Sequence, residues 1–287
     1  FKEYQLIKIK YKNKVYNLKI YLIGSVQIKN LLMAILASEK CGIKIQSIFK
    51  KIHKIKSVNG RLEEIKELPN RSKIFLDYAH TPEALKTAIN ALKEHYKKKI
   101  TVVFGCGGER DKSKRKLMGK IANQLCNKVI ITDDNPRNEN PKIIREQILS
   151  VIKKNKFKEI PGRKKAIIYA LKNSDPYEII LIAGRGHETY QDFGKRKVPL
   201  SDKKIIQNFN SKKINTKINY FKNNSTLIKK ILKNRRNIYF EGVSINSKSI
   251  KKNNLFVAIK GKKKDGHDFL KEAIKKGANY SICLLYT

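Results

Sequence analysis

Residues 134–137 read Asp-Asn-Pro-Arg, and their side chains could bind an amino acid by both of its charged groups. Arg137 offers a planar guanidinium that can hold a carboxylate through two parallel hydrogen bonds, while Asp134 and Asn135 can accept from an ammonium group. Asn-Pro is also a common turn former, so the loop taken alone could be ordinary turn chemistry. In the functional interpretation, the loop is surface-exposed and binds a zwitterionic amino acid.

Two glycine-containing loops carry further charged side chains. Residues 105–111 read Gly-Cys-Gly-Gly-Glu-Arg-Asp, and Arg110 would supply a second cation for a carboxylate. Residues 184–188 read Gly-Arg-Gly-His-Glu, where Gly184 would let a ligand approach the backbone and Glu188 would face an ammonium. Each loop could equally be a tight turn between a strand and a helix.

A fourth polar loop, Asp77-Tyr-Ala-His-Thr-Pro82, contains His80. Taken alone, this histidine is best explained as a half-buried residue with satisfied hydrogen bonds. Its neighbours Asp77 and Thr81 favour a polar hinge loop that faces a ligand. The phosphate-binding pattern GxxxxGK[ST] is absent from the sequence.

Each of these four loops follows a short apolar run that is typical of a buried strand. The runs are Ile74–Leu76, Ile100–Phe104, Val129–Thr132 and Ile179–Ala183. Four repeats of strand, polar loop and helix predict a parallel α/β sheet. Ligands bind such sheets at the carboxyl ends of the strands, where the loops converge. The pattern alone therefore predicts an α/β domain over residues 72–209 with one ligand-binding edge.

The segments that flank this domain have different patterns. Residues 4–22 alternate as a hairpin with a turn at Lys12–Asn13, and helical spacing follows over Gln27–Lys40 and around Ile45–Ile55. Residues 210–238 are rich in Lys and Asn and predict a linker. The last part of the sequence predicts strand, strand, helix and strand at Ile238–Phe240, Leu255–Ile259, Phe269–Lys276 and Ser281–Thr287.

The net charge of +41 comes mainly from 54 lysines scattered along all 287 residues. A protein that binds polynucleotides usually concentrates its basic residues on one face or in a tail. The scatter argues against that class, although a basic nucleic-acid-binding α/β protein stays the alternative hypothesis. The four cysteines show no metal-ligand spacing and are expected to be reduced thiols in the cytosol. No apolar run reaches the roughly 20 residues of a membrane span.

In combination, the motifs resemble the Mur ligase family over residues 24–209. They are Asn59-Gly-Arg-Leu-Glu63, Asp77–Pro82, Phe104–Asp111, Asp134–Arg137 and Gly184–Glu188. The resemblance implies an α/β fold with a Rossmann-like, mostly parallel sheet over residues 69–209, the family's C-terminal domain. It implies that residues 1–68 are the end of the central ATPase domain, so that partial α/β domains flank the sheet domain.

Within the family, the resemblance is to members that add meso-diaminopimelate to UDP-N-acetylmuramoyl-L-alanyl-D-glutamate in the cytoplasm. It implies an ATP-dependent acid–amino-acid ligase that uses Mg²⁺ and acts on small molecules, without nucleic-acid or membrane partners. By motif position, the meso-diaminopimelate pocket comprises Arg110, Asp134, Asn135, Pro136, Arg137, Gly184 and Glu188. The positions near the ATP nucleotide are Arg61, Asp77 and His80. No catalytic residue or metal ligand is assigned.

The resemblance also implies parts that this sequence does not show. The family's phosphate loop, modified catalytic lysine and first UDP-binding domain would precede Phe1, so the isolated chain is expected to lack ligase activity. Residues 239–287 resemble the start of a second Mur ligase's UDP-binding domain, cut off inside a strand. Ser247 matches a uridine-nucleotide position there, within Asn-Ser-Lys where Asp-Ser-Arg is usual. With residues 210–238 as linker, the expectation is a fusion whose second ligase adds D-alanyl-D-alanine.

Overall fold

The N-terminal segment forms the predicted hairpin and helices in the computed structural model, which describes residues 4–210, 242–258 and 265–283. Strands β1 (Gln5–Tyr11) and β2 (Lys14–Ile20) pair antiparallel. Both turn residues between them have positive φ, as two-residue hairpin turns require. Helices α1 (Ser25–Lys40) and α2 (Ile45–Lys51) bury their apolar faces with the hairpin in one cluster.

A six-stranded sheet follows, with the order β3-β4-β8-β5-β6-β7. The strands are β3 (Glu63–Glu67), β4 (Lys73–Asp77), β5 (Ile100–Phe104), β6 (Lys128–Ile131), β7 (Phe157–Glu159) and β8 (Ile179–Ala183). All neighbours pair parallel except β3 and β4. The four predicted strands are the four inner ones, and the mostly parallel α/β fold is confirmed.

The two edge strands of this sheet were not predicted. β3 reads Glu-Glu-Ile-Lys-Glu and β7 reads Phe-Lys-Glu, so neither shows an apolar run. An edge strand is partly exposed and can carry charged side chains, which also discourage pairing with another chain.

Helices cover both faces of the sheet, as a parallel sheet requires. They are α3 (Pro82–Tyr96), α4 (Ser113–Leu125), α5 (Pro141–Leu149), α6 (Arg163–Lys172) and α7 (Asp202–Gln207). The first three pack in one core cluster and the last two in another, with alternate residues of each inner strand pointing to either side. A small hairpin of β9 (Tyr190–Asp192) and β10 (Lys197–Pro199) precedes α7.

Residues 1–214 and 215–287 form two compact units. The described part of the second contains a parallel sheet of β11 (Gly242–Ser244), β12 (Asn254–Ala258) and β13 (Ala278–Cys283), with helix α8 (Leu270–Lys275). The strand predicted at Ile238–Phe240 and nearly all of the predicted linker lie outside the described residues. The predicted domain boundaries after residues 68, 209 and 238 stay predictions. Among the described helices, none has the length and hydropathy needed to cross a bilayer.

Candidate functional site

A cleft of about 540 Å³ opens at the carboxyl ends of β4, β5, β6 and β8. Six of the seven predicted pocket residues line it, together with one predicted nucleotide residue: Arg110, Asp134, Asn135, Arg137, Gly184, Glu188 and His80. The seventh pocket residue, Pro136, is buried in the same loop. The structure therefore brings together residues that four separate loops contribute.

Glycines allow the loops to approach one another this closely. A Cβ atom on Gly184 would lie 2.6 Å from Asp134 Oδ2, and the φ of Gly184 is +112°. A Cβ on Gly105 would lie 2.2 Å from the carbonyl oxygen of Thr132. Both distances are far below van der Waals contact, so no other residue type fits these two positions without movement of the loops.

The Asp-Asn-Pro-Arg loop is buried, and the expectation that it is surface-exposed was wrong. Asp134 and Asn135 are 8% and 7% exposed. Asn135 Nδ2 donates to Glu188 Oε2 at 2.9 Å, and its Oδ1 accepts from the backbone N–H of Asp192 at 2.9 Å. Gln191 Nε2 donates to the carbonyl oxygen of Asp134. The loop is buried because the β8 loop and β9 cover it.

Arg137 is held at the rim of the cleft by its neighbours. Its Nη1 donates to the carbonyl oxygen of Gly108 at 2.7 Å, and its Nε lies 3.6 Å from Asp192 Oδ2. A guanidinium has five N–H donors, so these contacts leave donors for a ligand. Arg110 is exposed and lines the same cleft. The two cations form one side of the site.

Two carboxylates form the other side. Glu188 Oε2 accepts from Asn135 and lies 3.3 Å from Arg185 Nε. Asp134 Oδ2 is buried and finds no hydrogen-bond donor among the described residues, while Arg163 Nη1 lies 3.8 Å away. Burial raises the pKa of the Asp134 carboxyl, and the positive charge of Arg163 opposes that rise. A cation entering the cleft would find an unsatisfied carboxylate oxygen.

Two of the three predicted nucleotide residues contact Tyr78, which itself lines the cleft. The guanidinium carbon of Arg61 lies 4.4 Å from the Tyr78 ring centroid, and the ring centroid of His80 lies 4.7 Å from it. Asp77 does not line the cleft, because its carboxylate oxygens accept from the backbone N–H groups of Leu62 and Ala79 at 2.7 and 2.8 Å. Burial raises the pKa of Asp77.

Ser247, the predicted uridine-nucleotide residue, belongs to the second compact unit. It is buried, and its hydroxyl donates to Glu272 Oε2 at 2.9 Å. No group of three His, Cys, Asp or Glu side chains in the described ranges could hold a metal ion. The assignments of Ser247 and of the nucleotide residues stay predictions.

Sequence reasoning missed a buried ion pair that holds the glycine loop after β5. Arg115 is completely buried, and its Nη2 donates to Glu139 Oε1 at 3.0 Å and to the carbonyl oxygen of Gly107 at 3.4 Å. Glu139 Oε1 also accepts from the backbone N–H of Glu109. The pair therefore ties the loop of Arg110 to the segment that follows Arg137. The sequence indicated only that Arg115 lies in a helix rich in lysine and arginine.

Replacing Glu139 by glutamine should destabilise the chain at neutral pH by about 1–3 kcal/mol, because the buried guanidinium loses a charged partner. The hydrogen bond from Arg115 lowers the pKa of Glu139 from 4.5 to about 2. A lowered pKa means that the stabilisation is full above about pH 4.5 and is lost as the pH falls towards 2. The melting-temperature difference between wild type and Glu139→Gln should shrink over that range.

The control for this experiment is Glu146→Gln, on a glutamate of α5 whose side chain is 57% exposed. It should change the melting temperature little at any pH. A difference between wild type and Glu139→Gln that is constant from neutral pH to pH 2 would contradict the assigned role of the pair.

Two protein-family models match this chain. Residues 60–186 match "Mur ligase, glutamate ligase domain", and residues 239–284 match "Mur ligase family, catalytic domain". The first match covers the sheet and the cleft. The second covers the segment in which the sequence predicted the start of a UDP-binding domain.

Similar proteins point to the same family. UDP-N-acetylmuramoyl-L-alanyl-D-glutamate–2,6-diaminopimelate ligase of Rickettsia montanensis is 43% identical over 205 residues, which are 71% of this chain and 42% of that protein. A solved structure of a ligase with the same name has a TM-score of 0.54 and 31% identity, covering 70% of this chain and 42% of that one. The chain thus spans less than half the length of these relatives.

A third likeness concerns the fold alone. The structure of Mycobacterium tuberculosis folylpolyglutamate synthase complexed with ADP and AMPPCP has a TM-score of 0.52 at 17% identity, covering 63% of this chain and 42% of that one. These matches give the nucleic-acid-binding alternative no support.

Proposed function

Because the chain belongs to the Mur ligase family, we propose that it contributes the amino-acid pocket of a peptidoglycan-precursor ligase. The reaction joins meso-diaminopimelate to UDP-N-acetylmuramoyl-L-alanyl-D-glutamate in the cytoplasm. The observation that carries the proposal is the cleft itself, in which Arg110 and Arg137 lie on one side and Asp134 and Glu188 on the other. An amino acid with a carboxylate and an ammonium group complements this arrangement.

The two arginines account for the choice between diaminopimelate and lysine. Diaminopimelate carries a carboxylate at its distal end, where lysine has none. A guanidinium fork can bind that carboxylate through two hydrogen bonds. When lysine binds, the guanidinium has no carboxylate of the ligand to pair with. Because Arg137 keeps its pair with Asp192 when lysine binds, the difference is that of a charge-assisted hydrogen bond, about 1.5–3 kcal/mol, which corresponds to about a 10–10²-fold preference for diaminopimelate.

At the opposite end of the ligand, a free amine is the nucleophile of the reaction. ATP with Mg²⁺ would supply the phosphoryl group that activates the D-glutamyl carboxylate as an acyl phosphate, with ADP as the leaving group. The amine would then displace phosphate and lose a proton as the amide bond forms. The contribution of this chain is to fix the distal end of diaminopimelate so that the reacting amine has a defined position. Arg61 and His80, exposed beside Tyr78, fit a contact to the nucleotide.

Residues 239–287 extend the proposal to a fusion with a second Mur ligase, one that adds D-alanyl-D-alanine. The support is the second family match, at residues 239–284, which follows the first in the same chain. Intact-mass measurement of the native gene product tests this extension. A polypeptide that carries a second set of Mur ligase domains beyond Thr287 is expected, and a product without them would overturn the fusion alone.

The amino-acid pocket is tested by titrating this chain with two ligands. meso-Diaminopimelate should raise the melting temperature by several degrees at millimolar concentration, because it binds the folded state only. L-Lysine at the same concentration should raise it much less. A full shift by lysine would contradict the role of the arginines, and no shift by either ligand would overturn the proposed pocket.

A further inference from the structure

A cluster of five charges, four of them buried, extends from the two carboxylates of the cleft into the protein. Asp202, at the first position of α7, binds Arg163 through Nε at 3.0 Å and Nη2 at 2.8 Å. Its other oxygen lies 3.6 Å from Arg185 Nη1. Arg163 reaches Asp134 at 3.8 Å, and Arg185 reaches Glu188 at 3.3 Å. Within the described residues, no further ion pair involves any of the five.

The three inner members of this cluster are fully buried, and backbone carbonyl groups hold its two arginines. Arg163, Arg185 and Asp202 are each 0% exposed. Arg163 Nη2 also donates to the carbonyl oxygen of Ala183, and Arg185 Nη2 donates to those of Tyr190 and Leu200. The guanidiniums therefore cannot turn freely towards the cleft. Asp202 does not line the cleft, so it acts on a ligand only through the two arginines.

When all five groups are ionised, three carboxylates and two guanidiniums leave one net negative charge. A buried charge without a partner is costly, so the cluster is completed by one cation. The place for that cation is marked by Asp134, which lines the cleft and whose buried Oδ2 has no hydrogen-bond donor in the described part of the chain. An ammonium group supplies both the charge and the donors.

We propose that Asp202 is a positioning residue that sets this charge balance: by engaging Arg163 and Arg185, it leaves Asp134 and Glu188 with one negative charge for the ammonium of the ligand. The proposal rests on the proposed function, since it concerns the same pocket. Without the Asp202 carboxylate, the cluster would be neutral, and Arg163 would pair with Asp134 in place of the ligand. The ammonium subsite would then be filled by the protein itself.

The test compares two ligands on Asp202→Asn by NMR titration of the whole chain. meso-Diaminopimelate carries ammonium groups, whereas pimelate is the same seven-carbon diacid without them. Affinity for meso-diaminopimelate should fall about tenfold or more, which corresponds to about 1.4 kcal/mol. Affinity for pimelate should stay the same or rise, because only a negative charge has been removed. Equal loss for both ligands would show a merely structural role and overturn the proposal.

Two further variants separate charge from folding. Asp202→Asn combined with Arg163→Gln removes both charges of the pair and restores one net negative charge, so the preference for meso-diaminopimelate should return. Arg163→Gln alone leaves two negative charges and should keep or raise that preference, which tests the claim even if Asp202→Asn does not fold. A lowered preference in Arg163→Gln would overturn it.

A matched control exists at the other end of the same strand. Glu178, just before β8, is a buried carboxylate that accepts from Thr101 Oγ1 at 2.5 Å. Glu178→Gln should leave the ratio of the two affinities unchanged. If wild type binds no meso-diaminopimelate, the proposed function fails and this inference with it. If wild type binds it and Asp202→Asn keeps the wild-type ratio, this inference fails alone.

Discussion

Replacing Arg137 by alanine should weaken the binding of meso-diaminopimelate by about 10–10²-fold, because the distal carboxylate loses one of its two guanidinium partners. The binding of L-lysine should change little, since lysine has no carboxylate at that end. The preference for meso-diaminopimelate over lysine should therefore fall by about the same factor, and Arg110 should retain the remainder. Isothermal titration calorimetry of both ligands on wild type and variant measures this ratio directly.

Two variants sharpen the interpretation. Arg137→Lys keeps the positive charge but loses the planar fork, so it should recover only part of the affinity. Arg196, whose guanidinium carbon lies 5.6 Å from the Phe193 ring centroid, does not line the cleft, and Arg196→Ala should bind as wild type does. An Arg137→Ala chain that still prefers diaminopimelate by the wild-type factor would show that another group selects the ligand.

Replacing Gly184 by alanine should destabilise the first compact unit by about 2–4 kcal/mol, from backbone strain and overpacking together. The φ of Gly184 is +112°, and the new Cβ would lie 2.6 Å from Asp134 Oδ2. The same methyl group would occupy the place where the ammonium is proposed to bind. Urea denaturation should show the loss of stability, and binding of meso-diaminopimelate should be abolished.

Gly42 provides the matched comparison for this change. Its φ is +88°, but among the described residues, and apart from its chain neighbours, no atom lies within 4 Å of where its Cβ would be. Gly42→Ala therefore isolates the cost of the backbone conformation, about 1 kcal/mol, and should not affect ligand binding. If both variants lose the same stability and both still bind meso-diaminopimelate, the close approach of Gly184 to Asp134 does not contribute to ligand binding.

The inner sheet was predictable because four short apolar runs each had to be buried on both faces. β5 and β8 have the predicted bounds, and β4 and β6 each differ by one residue at both ends. The edge strands β3 and β7 were missed because charged edge strands carry no apolar pattern. The last strand to be predicted, in the second unit, begins three residues earlier than expected, at Ala278.

Some of the residues that line the cleft could be identified from their loops, whereas Lys114 and Leu117, which also line it, and the groups behind it could not. Arg137 and Glu188 could be identified from local sequence alone, because each lies in a polar loop that directly follows an apolar run. Asp202 follows Ser201, whose side chain caps α7, so in the sequence it resembles an ordinary first-turn acid. Its pairing with Arg163 spans 39 residues, and no local pattern encodes such a contact. The burial of the loop at Asp134 arises from equally distant contacts.

The position of β8 affects the moment at which this domain folds during its synthesis. β8 pairs with both β4 and β5, yet it is the last of the six strands to leave the ribosome. Until Ala183 has emerged, β4 and β5 each present an open apolar edge, which is a surface for chaperones or for aggregation. The loop that begins at Gly184 emerges next. The nascent chain therefore assembles its ligand site in one late step, after more than 180 residues have been translated.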